Sequence, residues 1–225
     1  MSKAKACQVR AFCFADVTFI LAPMRTRLSS LAVLPFGLLA ACGASTANCP
    51  ATTARPNLHA ELTAPETLTV TLDGLTGALD DRHVFGGFGC TGQNHSPAIS
   101  WSGAPAGTQS YVLEVHDPDA PTGVGFFHWI VADLPAGTTS LPYDASATGL
   151  PEGVVQPRTD YGAPGWGGPC PPPGTPHRYI FTLYAIDTPA LGIDANASPA
   201  VTRFMLHMHT LAFGRATATF AFPAQ

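Results

Sequence analysis

The chain has 225 residues, of which 46% are hydrophobic and only 12% charged, and its formal net charge is −4. That length suits one domain with an extension, and the apolar share is enough for a packed core. The acidic balance argues against nucleic acid as a partner, because neutralising phosphates requires clustered Lys and Arg.

The N-terminal part does not read as domain. From Met24 the residues run "MRTRLSSLAVLPFGLLAAC": two arginines, an apolar stretch from Leu31 to Ala41, then Cys42. This is the layout of a secretory signal, and the stretch is too short and too Pro-interrupted for a membrane span of ~20 residues. "LAAC" at Leu39–Cys42 resembles the bacterial lipoprotein signal, in which Cys42 is acylated and becomes the new N-terminus; an ordinary cleaved signal is the alternative. Residues 1–41 are therefore expected to be removed, with Met24 the candidate start. What remains carries six arginines, no lysine and fourteen acidic residues, a net charge of −8. Adhesion to anionic lipid by charge is disfavoured, so membrane attachment is assigned to the lipid on Cys42. Gly43 lacks the Asp associated with inner-membrane retention, which points to a periplasm-facing outer membrane.

Residues 42–60 are small and polar without periodicity and read as a lipidated tether; the domain is placed at 61–225. "LTVTL" (Leu68–Leu72) alternates as a half-buried strand. "YVLEVHD" (Tyr111–Asp117) and "FHWIVADL" (Phe127–Leu134) are apolar strands bounded by Pro and Gly. Between Tyr161 and Pro176, eleven of sixteen residues are Gly or Pro, yet the stretch holds a Trp and a Cys, which suggests a stiff loop rather than a linker. "RYIFTLYAI" (Arg178–Ile186) follows at once, apolar on both faces like a central strand. "SPAVTRFMLHMHTLAFG" predicts a helix with Ser198 as N-cap, Pro199 at its first position and Gly214 at its close. Val201, Phe204, Met205, Met208, Leu211 and Ala212 would form the stripe that packs on the sheet. "RATATFAF" (Arg215–Phe222) alternates as a last strand. The fold class is mostly β, with two packed sheets and one late helix.

With Cys42 acylated, Cys49, Cys90 and Cys170 remain, and export permits disulfides. Cys90 and Cys170 both sit in Gly-rich loops, which favours pairing them; two buried thiols are the alternative. No CxxC or Cys/His zinc spacing is present, so neither a metal nor a cofactor is expected. His207 and His209 on the helix are two apart and diverge, which is not a ligand pair.

The densest polar cluster is "HDPDAPTGVGFFHW" (His116–Trp129). Asp117 and Asp119 flank a proline at a strand end, His128 opens the next strand, and His177 lies where the Gly/Pro loop meets its strand. Neighbouring strand ends bring side chains into one volume, so Asp117, His128 and His177 are candidates for a shared pocket. His116 points to the opposite face and reads as core. Trp166 either forms the pocket lip or packs the loop down.

"DPDAP" (Asp117–Pro121), "HW" (His128–Trp129) and "GPCPPPGTPHRYIF" (Gly168–Phe181) resemble the phosphatidylethanolamine-binding protein family, and more closely its bacterial branch of Raf kinase inhibitor-like proteins. The likeness covers residues 60–222. It implies a large central sheet packed on a smaller one, with a small pocket at the strand ends for phosphate, phosphorylated head groups or carboxylates. By the same likeness Asp117 would be the pocket aspartate, Pro121 its rigid wall, His128 and His177 its two histidines, and Tyr179 a hydroxyl donor. Phe126 stands where many members have Trp. The bacterial branch lacks the C-terminal helix that gates eukaryotic sites, so regulation of that kind is not carried over.

The leading reading is a non-catalytic, exported lipoprotein that binds a small anion or phospholipid head group. A homodimer is suggested by bacterial relatives. One alternative is an inhibitor or interaction module for an extracytoplasmic protease or other protein target. Another is a metal-dependent hydrolase built on Asp117, His128 and His177.

Overall fold

The computed structural model describes residues 63–221; the signal, Cys42 and the whole of the tether lie outside the described residues. The elements in chain order are β1 (Thr69–Leu72), β2 (Ile99–Ser102), β3 (Ser110–Asp117), β4 (Phe126–Pro135), β5 (Ser140–Leu141), α1 (Ala145–Thr148), β6 (His177–Ile186), α2 (Pro199–His209) and β7 (Thr210–Phe220). A four-stranded sheet of order β4-β3-β6-β7 packs against a three-stranded sheet of order β1-β2-β5, and every pairing is antiparallel.

The large sheet is covered on both faces, which is why β3 is buried at every position. Successive side chains alternate between the faces. Leu113 and Val115 enter the core between the sheets with Trp101, Trp129 and Phe181. Val112 enters a second core with Ile130, Tyr184, Ile186 and Leu206 of α2. Burial of this kind contributes roughly 25 cal/mol per Å² of apolar surface, so the two cores supply most of the drive to fold.

The helix starts where the sequence places it. Ser198 Oγ accepts from Val201 N–H and Pro199 occupies the first turn. Its end and its buried face differ from expectation. The helix stops at His209, with Thr210 as C-cap, because the next residues are drawn into β7 beside β6. Gly214 belongs to that strand rather than closing the helix; a Cβ there would fall 2.1 Å from the Leu68 carbonyl oxygen, so the close crossing of the chain near β1 needs glycine.

The buried helix positions are Pro199, Thr202 and Leu206, whereas Val201, Phe204 and Met208 are 48%, 64% and 52% exposed. Leu211 and Ala212 of the expected stripe are in β7. A polar anchor accounts for the rotation. Glu114, fully buried in mid-β3, receives Arg203 Nε at 2.9 Å and Nη2 at 2.5 Å, and the same guanidinium lies 4.7 Å from the Phe127 ring centroid. A buried carboxylate without a partner is too costly, so Arg203 must face inward; Val201, Phe204 and Met208 turn outward, while Met205 of the expected stripe still packs against the second core.

Candidate functional site

The site begins with pairing register. Asp117 ends β3 opposite Phe126, which opens β4, while His116 faces Ile180 of β6, close to where that strand starts at His177. Three strand ends therefore meet at one edge of the large sheet. Around them lies a cavity of about 160 Å³. All six residues singled out by the sequence line it: Asp117, Pro121, Phe126, His128, His177 and Tyr179.

Asp117 organises one wall. Its Oδ1 accepts the backbone N–H groups of Asp119 at 2.8 Å and Ala120 at 3.1 Å. Its Oδ2 lies 2.8 Å from His177 Nδ1 and accepts the N–H of that nitrogen, which fixes the proton on Nδ1. Asp119 stabilises the turn from outside: its carboxylate takes the Arg178 guanidinium in a two-pronged pair at 2.8 and 2.7 Å and also the Arg178 backbone N–H at 2.9 Å. That pair holds the Asp119 carboxyl below its ordinary pKa. The "DPD" turn is thus clamped to β6, and Asp117 and His177 are brought together by backbone as well as side chain.

His128 is held differently. Its Nδ1 is 2.7 Å from the Gly167 carbonyl oxygen, and its own carbonyl accepts the Gly167 N–H at 2.9 Å. The Gly/Pro loop is therefore stitched to β4 at His128. Gly168 makes this approach feasible, since a Cβ there would fall 1.9 Å from the His83 carbonyl oxygen. Burial pushes the His128 pKa down to about 4, so the ring is neutral at ordinary pH. With Nδ1–H donated to Gly167, the ring presents Nε2 as an acceptor edge.

Tyr179 supplies the donor. Its hydroxyl is buried beside the Asp117 carboxylate, the polar group it interacts with, though not at full hydrogen-bond geometry. Burial and the nearby Asp117 charge raise its pKa well above the ordinary tyrosine value, which keeps the proton on.

Sequence reasoning missed Tyr161 and Phe88. Tyr161 donates its hydroxyl to the Gly168 carbonyl at 2.7 Å, and its ring packs edge-on against Phe126 at 4.9 Å and His128 at 5.6 Å. Phe88 stands at the mouth, 80% exposed, stacked on Tyr161 at 5.9 Å. Neither carries a periodic signal; both come from loops whose path depends on the folded partner. A disulfide between Cys90 and Cys170 joins those loops. Trp166 is not the lip. It is buried, donates Nε1–H to the His83 carbonyl at 3.0 Å and stacks on Phe181, so it packs the loop down.

His116 lies on the far face, against Phe127 and bonded to the Val124 carbonyl. His209 pairs with Asp187 at 2.8 Å. Among the described residues, no three His, Cys, Asp or Glu side chains converge as a metal-holding group.

Comparison with known proteins follows the same outline. The family model described as phosphatidylethanolamine-binding protein matches residues 76–221. YbhB of Escherichia coli K12 is 47% identical over 145 residues, which is 64% of this chain and 92% of that protein. The crystal structure of E. coli YbcL, described as a new member of the mammalian PEBP family, superposes with a TM-score of 0.67 at 43% identity, covering 69% of this chain and 99% of that one. The candidate lipoprotein LppC of Mycobacterium tuberculosis is 37% identical over 121 residues, 52% of this chain and 57% of that protein. With the two-sheet fold, the strand-end cavity and a family match across most of the described residues, this chain belongs to the phosphatidylethanolamine-binding protein family.

Proposed function

We propose that the protein is a non-catalytic binding protein whose strand-end cavity takes a small oxyanion, either a phosphate-bearing ligand such as a head group or a carboxylate. One observation carries the reading. The buried Tyr179 hydroxyl beside Asp117, the Asp117–His177 pair and a neutral histidine edge converge in a space of about 160 Å³, the scale of an ion rather than of a drug-sized ligand. Pro121, Phe126 and Tyr161 line the cavity beside this polar end and lower the local polarity there.

The test is titration of the domain with phosphate and phosphoethanolamine by calorimetry, with histidine NMR and metal content measured on the same sample. Saturable binding that moves two histidine signals and disappears in His177→Ala is the expected result. No binding, with a stoichiometric metal present instead, would favour a hydrolase.

The same reading makes the protein an exported lipoprotein anchored through Cys42 and facing the periplasm from the outer membrane. Its support is the "LAAC" motif together with the likeness to LppC. Mass spectrometry of the membrane fraction should find an acylated Cys42 at the mature N-terminus; an unmodified terminus elsewhere would refute the anchor.

A further inference from the structure

We propose that the outward face of α2 is a membrane-docking surface: it lies on the bilayer that holds the Cys42 lipid and sets Val201, Phe204 and Met208 at the boundary between head groups and acyl chains. The proposal rests on the Cys42 anchor above and goes beyond it in giving the domain one side that faces the membrane.

The first observation is the stripe itself. Val201, Phe204 and Met208 recur at i, i+3 and i+7, so they form one row along α2, and they are 48%, 64% and 52% exposed. The Arg203–Glu114 pair holds that row outward, so its exposure is built into the fold. A contiguous apolar row on a surface marks a contact site, unlike apolar residues scattered singly.

The second is where the chain enters the fold. Ala64 packs against the core that Leu206 of α2 helps to form. The Pro65 carbonyl accepts the Phe213 N–H at 3.1 Å, and the Phe213 carbonyl accepts the Thr67 N–H at 3.0 Å. Phe213 follows soon after His209, the last residue of α2. The chain therefore joins the large sheet on its helix-bearing face, beside the end of α2. Residues 43–62 separate Cys42 from Thr63, a span of at most roughly 70 Å. Anchoring at that range gives an effective concentration on the order of a millimolar, so even a millimolar affinity keeps the face on the bilayer about half of the time.

The third is charge. α2 carries no Asp or Glu, although residues 42–225 hold fourteen acidic residues. Arg203 is engaged by Glu114 and His209 by Asp187. The contact is therefore apolar and requires no anionic lipid. A second copy of the chain is the weaker occupant, because three side chains fall well short of the ~800 Å² per partner that a stable interface buries.

The experiment uses the full chain, extracted from membranes and reconstituted into phosphatidylcholine vesicles whose acyl chains are brominated near the head group. Trp101, Trp129 and Trp166 are buried, so a Trp placed at an exposed position reports on its own surroundings. Phe204→Trp should lose roughly half of its emission to the brominated lipid. Thr71→Trp, exposed on the small sheet across the molecule, should lose none. Adding Val201→Ser and Met208→Ser to Phe204→Trp should restore the emission while the protein still floats with the vesicles. High salt should change none of this. With Cys42 acylated, equal quenching at positions 71 and 204, or none at 204, overturns the docking and leaves the anchor standing. So does a dimer that Phe204→Ser converts to monomer, which would give the face to a second copy. An unacylated Cys42 with no flotation overturns the anchor and the docking together.

Discussion

Replacing Arg203 by Met isolates the anchor of α2. The long apolar side chain retains packing against Phe127, so the change removes mainly the charge and its hydrogen bonds. Glu114 is 0% exposed and Arg203 has 18% of its side chain exposed, so the pair sits in a low-dielectric setting. After the substitution Glu114 keeps only the Tyr184 hydroxyl, at 3.4 Å. Breaking a buried pair by removing one partner typically destabilises by roughly 3–5 kcal/mol. At about 2–4 °C per kcal/mol for a domain of this size, the melting temperature should drop by roughly 10 °C. Replacing Glu114 by Met as well should recover most of the loss, since a well-packed apolar pair often matches a buried ion pair. Thermal and urea unfolding of wild type, single and double variants decides it. A single variant within about 1 kcal/mol of wild type, or a double variant no better than the single, would refute the claim that this pair orients the helix.

Three more outcomes are expected. His128 binds its proton at about 4 in the folded state against 6.5 unfolded, so the unfolded chain takes up more protons between those values and stability falls as the pH drops from 6.5 to 4. His128 alone should account for about 3 kcal/mol of that fall; His83 and His116, also lowered by burial, add in the same direction, and urea titrations at pH 7, 5.5 and 4.5 should show the decline. The Cys90–Cys170 bond closes a sequence separation of 80 residues, so Cys90→Ser with Cys170→Ser should destabilise by roughly 2–5 kcal/mol in thermal melts, as should added reductant on the wild type. Asp117→Asn should turn an amide toward His177 and reverse its tautomer; ring-nitrogen NMR shifts of His177 identical to wild type would show that Asp117 does not orient it.

The strands were legible because β3, β4 and β6 are continuous apolar runs bounded by Pro and Gly, and because β1 alternates cleanly. The helix start was legible too, through Ser198 and Pro199, since capping is local chemistry. The buried face was not, because hydrophobic periodicity counts apolar residues and is blind to a single buried carboxylate. Glu114, isolated in "YVLEVHD", and Arg203, the only cation on the helix, were the clue, but joining them requires knowing that α2 crosses β3. At the site, strand ends gave Asp117, His128 and His177, and the structure gathers them in one cavity. The acceptor character of His128 was out of reach, since it depends on a carbonyl 39 residues away in sequence. Tyr161 and Phe88 were hidden for the same reason: a loop's contacts are set by where its far end is tied, here through Cys90 and Cys170.

The alternation along β3 has a consequence for how this protein can change. Leu113, Val115 and Asp117 point toward the core and cavity, whereas Val112, Glu114 and His116 point toward α2. Ligand recognition and helix attachment thus share one strand without sharing a face, like two circuits printed on opposite sides of a board. Substitutions on one side should combine almost independently with those on the other, except at His116, whose charge is felt by His128. A lineage, or an engineer, can retune the cavity for a new ligand while the helix stays docked, and can redesign the outward apolar face of α2 without disturbing His128 or His177.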